Sequence, residues 1–529
     1  MPSIQFKGKT FVQNHHLAVK YHQLVPQKKL SLTDKVSLHD NLIIQGDNLK
    51  ALKALLPTYA GKIKCIYIDP PYNTGNENWV YNDNVNSPMI KEWLGKVVDK
   101  EDLTRHDKWL CLMMPRLKLL RELLSEDGAI FVSIDDNEQQ NLRCLLDEVF
   151  GEENFVANII WQHSIQGKND VKEVSLHHNY ILVYKKKDFQ IDRIERTDEH
   201  NVAYSNPDDD PNGPWRSGDV RSPNLRENLK FKIKTPSGKK INPPEKGWRW
   251  DEKNVLAKIK TGEIVFSEDE TRIIRKIYLN NQKGRVVESI WFGKDVGTTR
   301  DANAILKDIF EDDVPFNTPK PVELLKRIIS ISTNENDIIL DSFAGSGTTA
   351  HAVLELNKED GDRKFILVEQ EEYANSITAE RVRRVISGVK GAKDEKIKDG
   401  LGGSFSYFEL GDPIEMESLL RGKKLPSFKE FSRYLFYTAT GEEFTEKSID
   451  EKSGFIGESK NYEVYLFYKP ELDWLKTNAL TLEKLKELPK HNGKKRLVFA
   501  PTKYVDDHTL AEFRVEFCQL PYEIYRLQK

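Results

Sequence analysis

The chain has 529 residues, 80 Lys and Arg against 83 Asp and Glu, a formal net charge of -3 and a hydrophobic share of 38%. This length suits roughly two to four domains, and the apolar share is that of packed globular units rather than disorder. No apolar run approaches a membrane span and the polar N-terminus does not read as a signal peptide, so a cytoplasmic setting is the expectation. The four cysteines, Cys65, Cys111, Cys144 and Cys518, are scattered without disulfide or metal spacing. The pairs His15-His16 and His177-His178 lack metal-like partners, and no metal site is expected.

In chain order, residues 1–40 read as a polar arm. Strands and helices then alternate: a strand at Asn41 to Ile44, a helix around Asn48 to Leu56, and an apolar strand from Lys62 to Ile68. The strand stops at Asp69-Pro70-Pro71-Tyr72, because two prolines lack the ladder donor and fix φ. That leaves a carboxylate, a stiff turn and an aromatic ring at a strand's carboxyl end, where open α/β sheets bind ligands. An acceptor beside a flat ring suits a planar amine such as a nucleobase's exocyclic nitrogen, although an Asp-Pro-Pro-Tyr by itself is more often only a turn.

A helix from Asp107 to Ser125, ended by Glu126-Asp127-Gly128, leads to a strand from Ala129 to Ile134, and Tyr180 to Tyr184 reads as a further strand. Asn206 to Pro214 marks a boundary. Residues 216–300 then hold 20 Lys and Arg against 11 Asp and Glu, with Trp215, Phe231, Trp248, Trp250, Tyr278, Trp291 and Phe292 interleaved. A basic, aromatic block of this kind fits nucleic acid as well as a solvated face over core aromatics.

Ile338 to Asp341 reads as a strand, Ser342-Phe343-Ala344-Gly345-Ser346-Gly347 as a turn, and Thr348 onward as a helix. Glycines bring backbone close to a ligand, and the helix start offers free N–H groups to an anion. The run is neither a P-loop nor a dinucleotide fingerprint. The next strand, Phe365 to Val368, ends in Glu369, placed as ribose-binding acids are in nucleotide folds. Gly388 to Gly403 reads as a linker, and a mixed helix and strand unit follows.

On these residues the chain resembles the β class of adenine-specific DNA methyltransferases, most closely the modification subunit of a Type III restriction-modification system. In that family an Asp-Pro-Pro-Tyr motif precedes a Phe-x-Gly-x-Gly motif, with the target-recognition region between; here they stand about 270 residues apart. Gly46-Asp47-Asn48, Asn73-Thr74-Gly75, Phe131 to Asp136 and Thr318-Pro319-Lys320-Pro321 also match. The resemblance implies an α/β, Rossmann-like S-adenosylmethionine-dependent methyltransferase fold with a mainly parallel sheet and helices on both faces, an inserted target-recognition domain and an α+β C-terminal domain. The expected domains are an arm (1–40), a catalytic part (41–195), a DNA-binding insertion (196–314), a cofactor-binding part (315–390) and a C-terminal domain (405–529).

The same resemblance implies transfer of a methyl group from S-adenosylmethionine to N6 of an adenine flipped from double-stranded DNA. Asp69, Pro70, Pro71 and Tyr72 are the catalytic candidates. Asp341, Phe343, Ala344, Gly345, Ser346, Gly347, Thr348 and Glu369 are the cofactor candidates, with Lys320 and Asp47, for which a surface lysine and a turn aspartate are competing readings. An acceptor on the amine hydrogens frees a lone pair otherwise delocalised into the ring, and stacking on Tyr72 offsets part of the flipping cost, about 1–3 kcal/mol. Members that methylate cytosine N4 usually carry Ser first in the motif, so Asp69 points to adenine. Cytosine-N4 chemistry, RNA or glutamine-amide methylation, and a catalytically silent DNA-binding module are the alternatives. A homodimer and a helicase-nuclease restriction subunit are the implied partners, with the C-terminal domain serving association or an extra packing layer.

Overall fold

The computed structural model describes residues 3–75, 105–167, 173–311, 316–359, 361–414, 425–442, 444–489 and 493–520. The chain forms two compact units, Met1–Ile191 with Glu288–Lys529, and Asp192–Val287.

The larger unit is built on a ten-stranded sheet. Its strands in chain order are β1 (His22–Pro26), β2 (Leu42–Gln45), β3 (Ile63–Ile68), β4 (Leu124–Ile134), β5 (Phe155–Gln162), β6 (His178–Lys185), β7 (Ile290–Trp291), β8 (Ile338–Asp341), β9 (Lys364–Glu369) and β10 (Ser406–Pro413). They lie in the order β1-β10-β2-β9-β8-β3-β4-β6-β5-β7. From β10 to β4 every neighbouring pair is parallel, while β1 and β6 run antiparallel to their neighbours. The packing helices are α1 (Asn48–Tyr59), α2 (Arg105–Leu123), α3 (Gln139–Phe150), α4 (Thr299–Ile309), α5 (Val322–Ser330), α6 (Thr348–Glu359), α7 (Glu380–Ser387) and α8 (Phe428–Thr440). Central strands covered on both faces must be apolar throughout: the described side chains of β3 and β9 are almost all buried, Ile66, Ile68, Phe365 and Leu367 among them. This is the α/β, Rossmann-like fold expected.

The connections explain where a site forms. β8 leads through α6 to β9 on one side, and β3 is followed by α2 and then β4 on the other. The winding therefore reverses between β8 and β3, which leaves a crevice at their carboxyl ends. Asp69 follows β3 there, and Asp341 ends β8.

Several boundaries differ from those expected. Residues 3–40 are not a free arm: β1 pairs with β10, and Val12, Val19 and Tyr21 are buried in the main core. β1 is a short edge strand without alternation, so periodicity could not reveal it. Glu126-Asp127-Gly128 lies within β4 rather than ending a helix, and the β3–β4 register shifts between Ile63 and Cys65 to accommodate it. Residues 288–311, expected in the insertion, belong to the larger unit, since Trp291 pairs with Trp161 of β5. Gly388 to Gly403 is not a linker but folds back on itself, with Val389 N donating to Ile397 O at 3.0 Å and Leu401 N to Val385 O at 2.8 Å. The C-terminal residues are not a separate domain: Phe431 and Leu435 of α8, Val464 and Leu497 share one core with Leu52 and Leu120. The strands Phe455–Glu458, Tyr462–Leu466, Lys495–Ala500 and Val515–Gln519 form their own sheet. The expected boundary at 314/315 and residues 521–529 lie outside the described residues. Among the described residues no helix is long and apolar enough to cross a membrane, and no cluster has metal-ligand composition.

The smaller unit has a three-stranded antiparallel sheet, Ile264–Phe266, Ile273–Tyr278 and Trp215–Gly218, and a helix, Glu252–Lys260, capped by Asp251. Trp248 is core, with its indole N–H on Phe231 O at 2.7 Å, and Tyr278 is buried too. Lys230, Lys232, Lys234, Lys239, Lys240 and Arg249 are exposed. The aromatics thus divide between core and surface, and these six cations face solvent, whereas Lys276 is buried.

Candidate active site

The loop after β3 presents one face to a cavity and the other to the protein. Asp69, Pro70, Tyr72 and Thr74 line a cavity of ≈ 1150 Å³. Pro71 and Asn73 turn the other way and are held there. Trp109 of α2 donates its indole N–H to Pro71 O at 2.6 Å. Asn73, at φ 60, donates to the fully buried Glu138, which also accepts from Asn141 Nδ2 at 2.7 Å and meets His106 Nδ1 at 2.7 Å. A left-handed non-glycine residue persists only where its surroundings dictate it. Among the described residues no hydrogen bond reaches the Pro70 carbonyl, so it remains available as an acceptor beside Asp69.

Lys320 makes an ion pair with Asp69 Oδ2 and lies 5.3 Å from the centroid of the Tyr72 ring. Burial and the neighbouring Asp69 charge push the Tyr72 hydroxyl well above its ordinary pKa, so the ring is neutral. Lys320 is thus neither a surface lysine nor confined to the cofactor side.

The glycine turn is held from beneath. Gly345 N donates to Glu369 Oε2 at 2.7 Å, Glu371 N donates to Oε1 at 3.1 Å, and Thr378 Oγ1 donates to Gly345 O at 2.6 Å. Gly345 and Gly347 have φ +51 and +82, and a Cβ on Gly347 would stand 3.0 Å from Thr378 O. Glycine is demanded most strongly at 347, where the added carbon would meet backbone. Asp341 accepts from Phe343 N at 3.0 Å and Thr349 Oγ1 at 2.6 Å. Burial raises Asp341 to about 7 and Glu369 to about 8 against these hydrogen bonds.

A second crevice, ≈ 40 Å³, is lined by Asp69, Phe316, Lys320, Asp341, Phe343, Ala344, Gly345, Ser346 and Thr348. Asp69, Thr318, Pro319 and Lys320 line both spaces. Of the candidates from sequence, Asp47, Pro71, Gly347 and Glu369 line neither. Pro71 and Glu369 support the loops from behind. Asp47 caps α1, accepting from Lys50 N at 3.0 Å.

Sequence reading missed several lining groups. Trp161, His163 and His178 come from β5, β6 and their junction, and Thr298 to Asp301 from the start of α4. His178 is 3.0 Å from the Tyr180 hydroxyl, which donates to Asp136 at 2.8 Å. The position of His178 at a strand's start was the available signal.

Residues 63–380 match the N6/N4 methyltransferase family model described as DNA methylase. The Type III restriction-modification enzyme StyLTI Mod subunit of Salmonella typhimurium is 33% identical over 442 residues, 78% of this chain and 66% of that protein. The EcoP15I Mod subunit of Escherichia coli is 32% identical over 385 residues, 63% of this chain and 58% of that protein. The Type II methyltransferase M.KpnI of Klebsiella pneumoniae is 32% identical over 372 residues, covering 65% and 82%. The chain thus spans somewhat less than two thirds of the length of the Mod subunits it matches.

Proposed function

The chain belongs to the N6/N4 methyltransferase family of DNA methylases, and from that membership we propose that it transfers a methyl group from S-adenosylmethionine to N6 of an adenine flipped out of double-stranded DNA, as the modification subunit of a Type III restriction-modification system. One observation carries the reading: Asp69 and Lys320 stand where a cavity of ≈ 1150 Å³, ample for a base, meets a crevice walled by the glycine turn.

The residues suit the cofactor. A glycine turn admits close backbone, Phe316 and Phe343 supply apolar faces, and Asp69 and Asp341 are acids facing the same crevice. The family resemblance assigns Glu369 to the ribose hydroxyls; in the ligand-free chain it lines neither space, and its two oxygens accept from the Gly345 and Glu371 amides. The Phe343 to Thr348 turn holds the methionine part. When bound, S-adenosylmethionine supplies an electrophilic methyl group on a sulfonium.

The protein's own work is placement and proton acceptance. Asp69 accepts an amine hydrogen, and the Pro70 carbonyl takes the second. The Pro71 carbonyl accepts from Trp109, and Pro71 is proposed to stiffen the turn that presents Asp69. Two acceptors in fixed positions favour a pyramidal nitrogen whose lone pair leaves the ring, and orientation then lowers the barrier. Tyr72 offers the aromatic face for the extruded base. The exposed Lys and Arg of the smaller unit are proposed for phosphate contacts, with base readout from a few of its polar side chains. A homodimer and a restriction subunit complete the proposal.

Modification-sensitive long-read sequencing of DNA from cells expressing the chain, beside an Asp69→Ala control, tests it. N6-methyladenine at one short motif, absent in the control, is the expected result. A signal at cytosine N4 overturns the base assignment. No signal, together with failure to bind S-adenosylmethionine, favours a silent DNA-binding module. Light scattering of the intact chain tests the dimer, and a monomer mass removes it.

A further inference from the structure

Arg381 lies outside every motif that pointed to the site, yet it is 1% exposed and reaches the glycine turn from behind. A π-helical segment, Asn375–Ala379, leads into α7. Thr378 and Arg381, three residues apart, share the face directed at the turn. Thr378 takes the Gly345 carbonyl. Arg381 Nη1 donates to Ser346 Oγ at 2.9 Å and to Thr348 Oγ1 at 2.8 Å, and Nη2 lies 3.3 Å from His351 Nδ1.

A guanidinium is a donor only. Both hydroxyl oxygens therefore accept, and both hydroxyl protons are turned away from Arg381. The two oxygens are 3.4 Å apart, so at most one proton is used between them. The other is left for the crevice that Ser346 and Thr348 line. This wall also holds the start of α6, a helix of 12 residues whose N-terminal end is partially positive.

The buried charge behind the hydroxyls is incompletely matched. His351 Nε2 stands 3.1 Å from Glu355 Oε1 and separates that carboxylate from Arg381, while Lys326 Nζ takes Glu355 Oε2 at 3.0 Å. Burial lowers Arg381 to about 9, so it is charged at neutral pH. The crevice thus carries acids, Asp69 and Asp341, and outward donors backed by a cation. Those are the needs of an α-amino acid group, whose ammonium seeks an acceptor and whose carboxylate seeks donors.

We propose that Arg381 is a positioning residue for the amino-acid end of the cofactor: it fixes the Ser346 and Thr348 hydroxyls as outward donors and, with its charge behind them, selects a nucleoside that ends in a carboxylate over one that ends in a methyl group. The inference rests on the reading of this site as an S-adenosylmethionine site.

Isothermal titration calorimetry on the full chain tests it with S-adenosylhomocysteine and with 5′-methylthioadenosine, which keeps the nucleoside and sulfur but lacks the amino acid. Arg381→Met weakens S-adenosylhomocysteine by roughly tenfold or more and leaves 5′-methylthioadenosine within about twofold. Combining it with Ser346→Ala and Thr348→Val produces no further selective loss. If Arg381→Met does not fold, the Ser346→Ala, Thr348→Val variant, which keeps the guanidinium, carries the same comparison. Equal loss on both ligands reduces Arg381 to scaffolding and overturns the proposal, as does unchanged S-adenosylhomocysteine binding. A wild-type chain that binds neither ligand overturns the reading of the site, and the proposal with it.

Discussion

The Lys320 ammonium contacts both ends of the Asp-Pro-Pro-Tyr motif at once, paired with Asp69 Oδ2 and 5.3 Å from the Tyr72 ring centroid. The contact spans 251 residues of sequence. It holds the Asp69 carboxylate and the Tyr72 ring, the proposed acceptor and the proposed stacking face, in one arrangement. The pair is partly exposed, with 24% of the Asp69 side chain accessible, so solvent screens it and its contribution to stability is small. Its importance is geometric.

Lys320→Met is accordingly expected to leave thermal stability nearly unchanged and to slow single-turnover methyl transfer by roughly ten- to a hundredfold, the range that misplacement of a reacting group produces. Rapid quench with saturating DNA and cofactor reads that rate directly. A variant that reacts at the wild-type rate would reduce Lys320 to a bystander.

Asn73 and Glu138 are expected to act as one unit. Glu138→Ala removes the acceptor of the buried Asn73 and the half-buried Asn141, at a cost of about 1–3 kcal/mol. It also releases the left-handed residue that sets the direction of the loop. Turnover should fall while KM for DNA holds, and Glu138→Gln should retain part of the rate. A double-mutant cycle with Asn73→Ala should show strong non-additivity; independent effects would mean that the two residues do not share a task.

The buried acids make stability depend on pH. Glu369 is raised from 4.5 to about 8, and Asp341 from 3.8 to about 7, both chiefly by burial. The folded, ligand-free chain therefore binds these protons more tightly than the unfolded chain. Their stabilisation is complete below the unfolded values and is lost as pH rises through about 7 and then about 8. Scanning fluorimetry of the ligand-free chain should show Tm falling across that window, and Glu369→Gln should flatten the slope. Identical slopes in the two proteins would count against the assignment.

Lys276 should matter to the smaller unit alone. It is 5% exposed and bridges Asp208 and Asp210, and Tyr278 also donates to Asp210 at 2.8 Å. Lys276→Met leaves two acids facing one another without their cation. Hydrogen exchange within residues 192–287 should rise, with the strands of the ten-stranded sheet unaffected. A uniform rise across both units would point instead to global destabilisation.

What could be read from sequence was what interrupts a regular pattern. Two prolines at the end of an apolar strand, and glycines between a strand and a helix, are locally abnormal and therefore visible. That β3 and β8 lie side by side could not be derived from periodicity, because nothing in either strand's pattern names its neighbour. Glu138 was hidden because Asp135-Asp136-Asn137-Glu138 looks like a solvated acidic run, and Arg381 because Glu380, Arg383 and Arg384 surround it with charge. Helical phase held the missing signal for Arg381, since Thr378, Val382 and Val385 fall on the same buried face. The domain limits failed for a simpler reason: compositional shifts follow the surface, whereas Trp291 and the α8 aromatics are committed to a core that composition does not reveal.

The pairing of β3 with β8, Cys65 opposite Ile339 and Ile66 opposite Leu340, has a consequence for how the chain is made. While translation proceeds, β3 has β4 on one side and nothing on the other until residues 338–341 have left the ribosome. A nascent chain therefore presents an unsatisfied, apolar strand edge, the kind of surface that invites mispairing, for as long as the intervening residues take to emerge. A truncated product ending before Ile338 carries Asp69 and Tyr72 and none of the glycine turn, so premature termination leaves chains with only half of the proposed site.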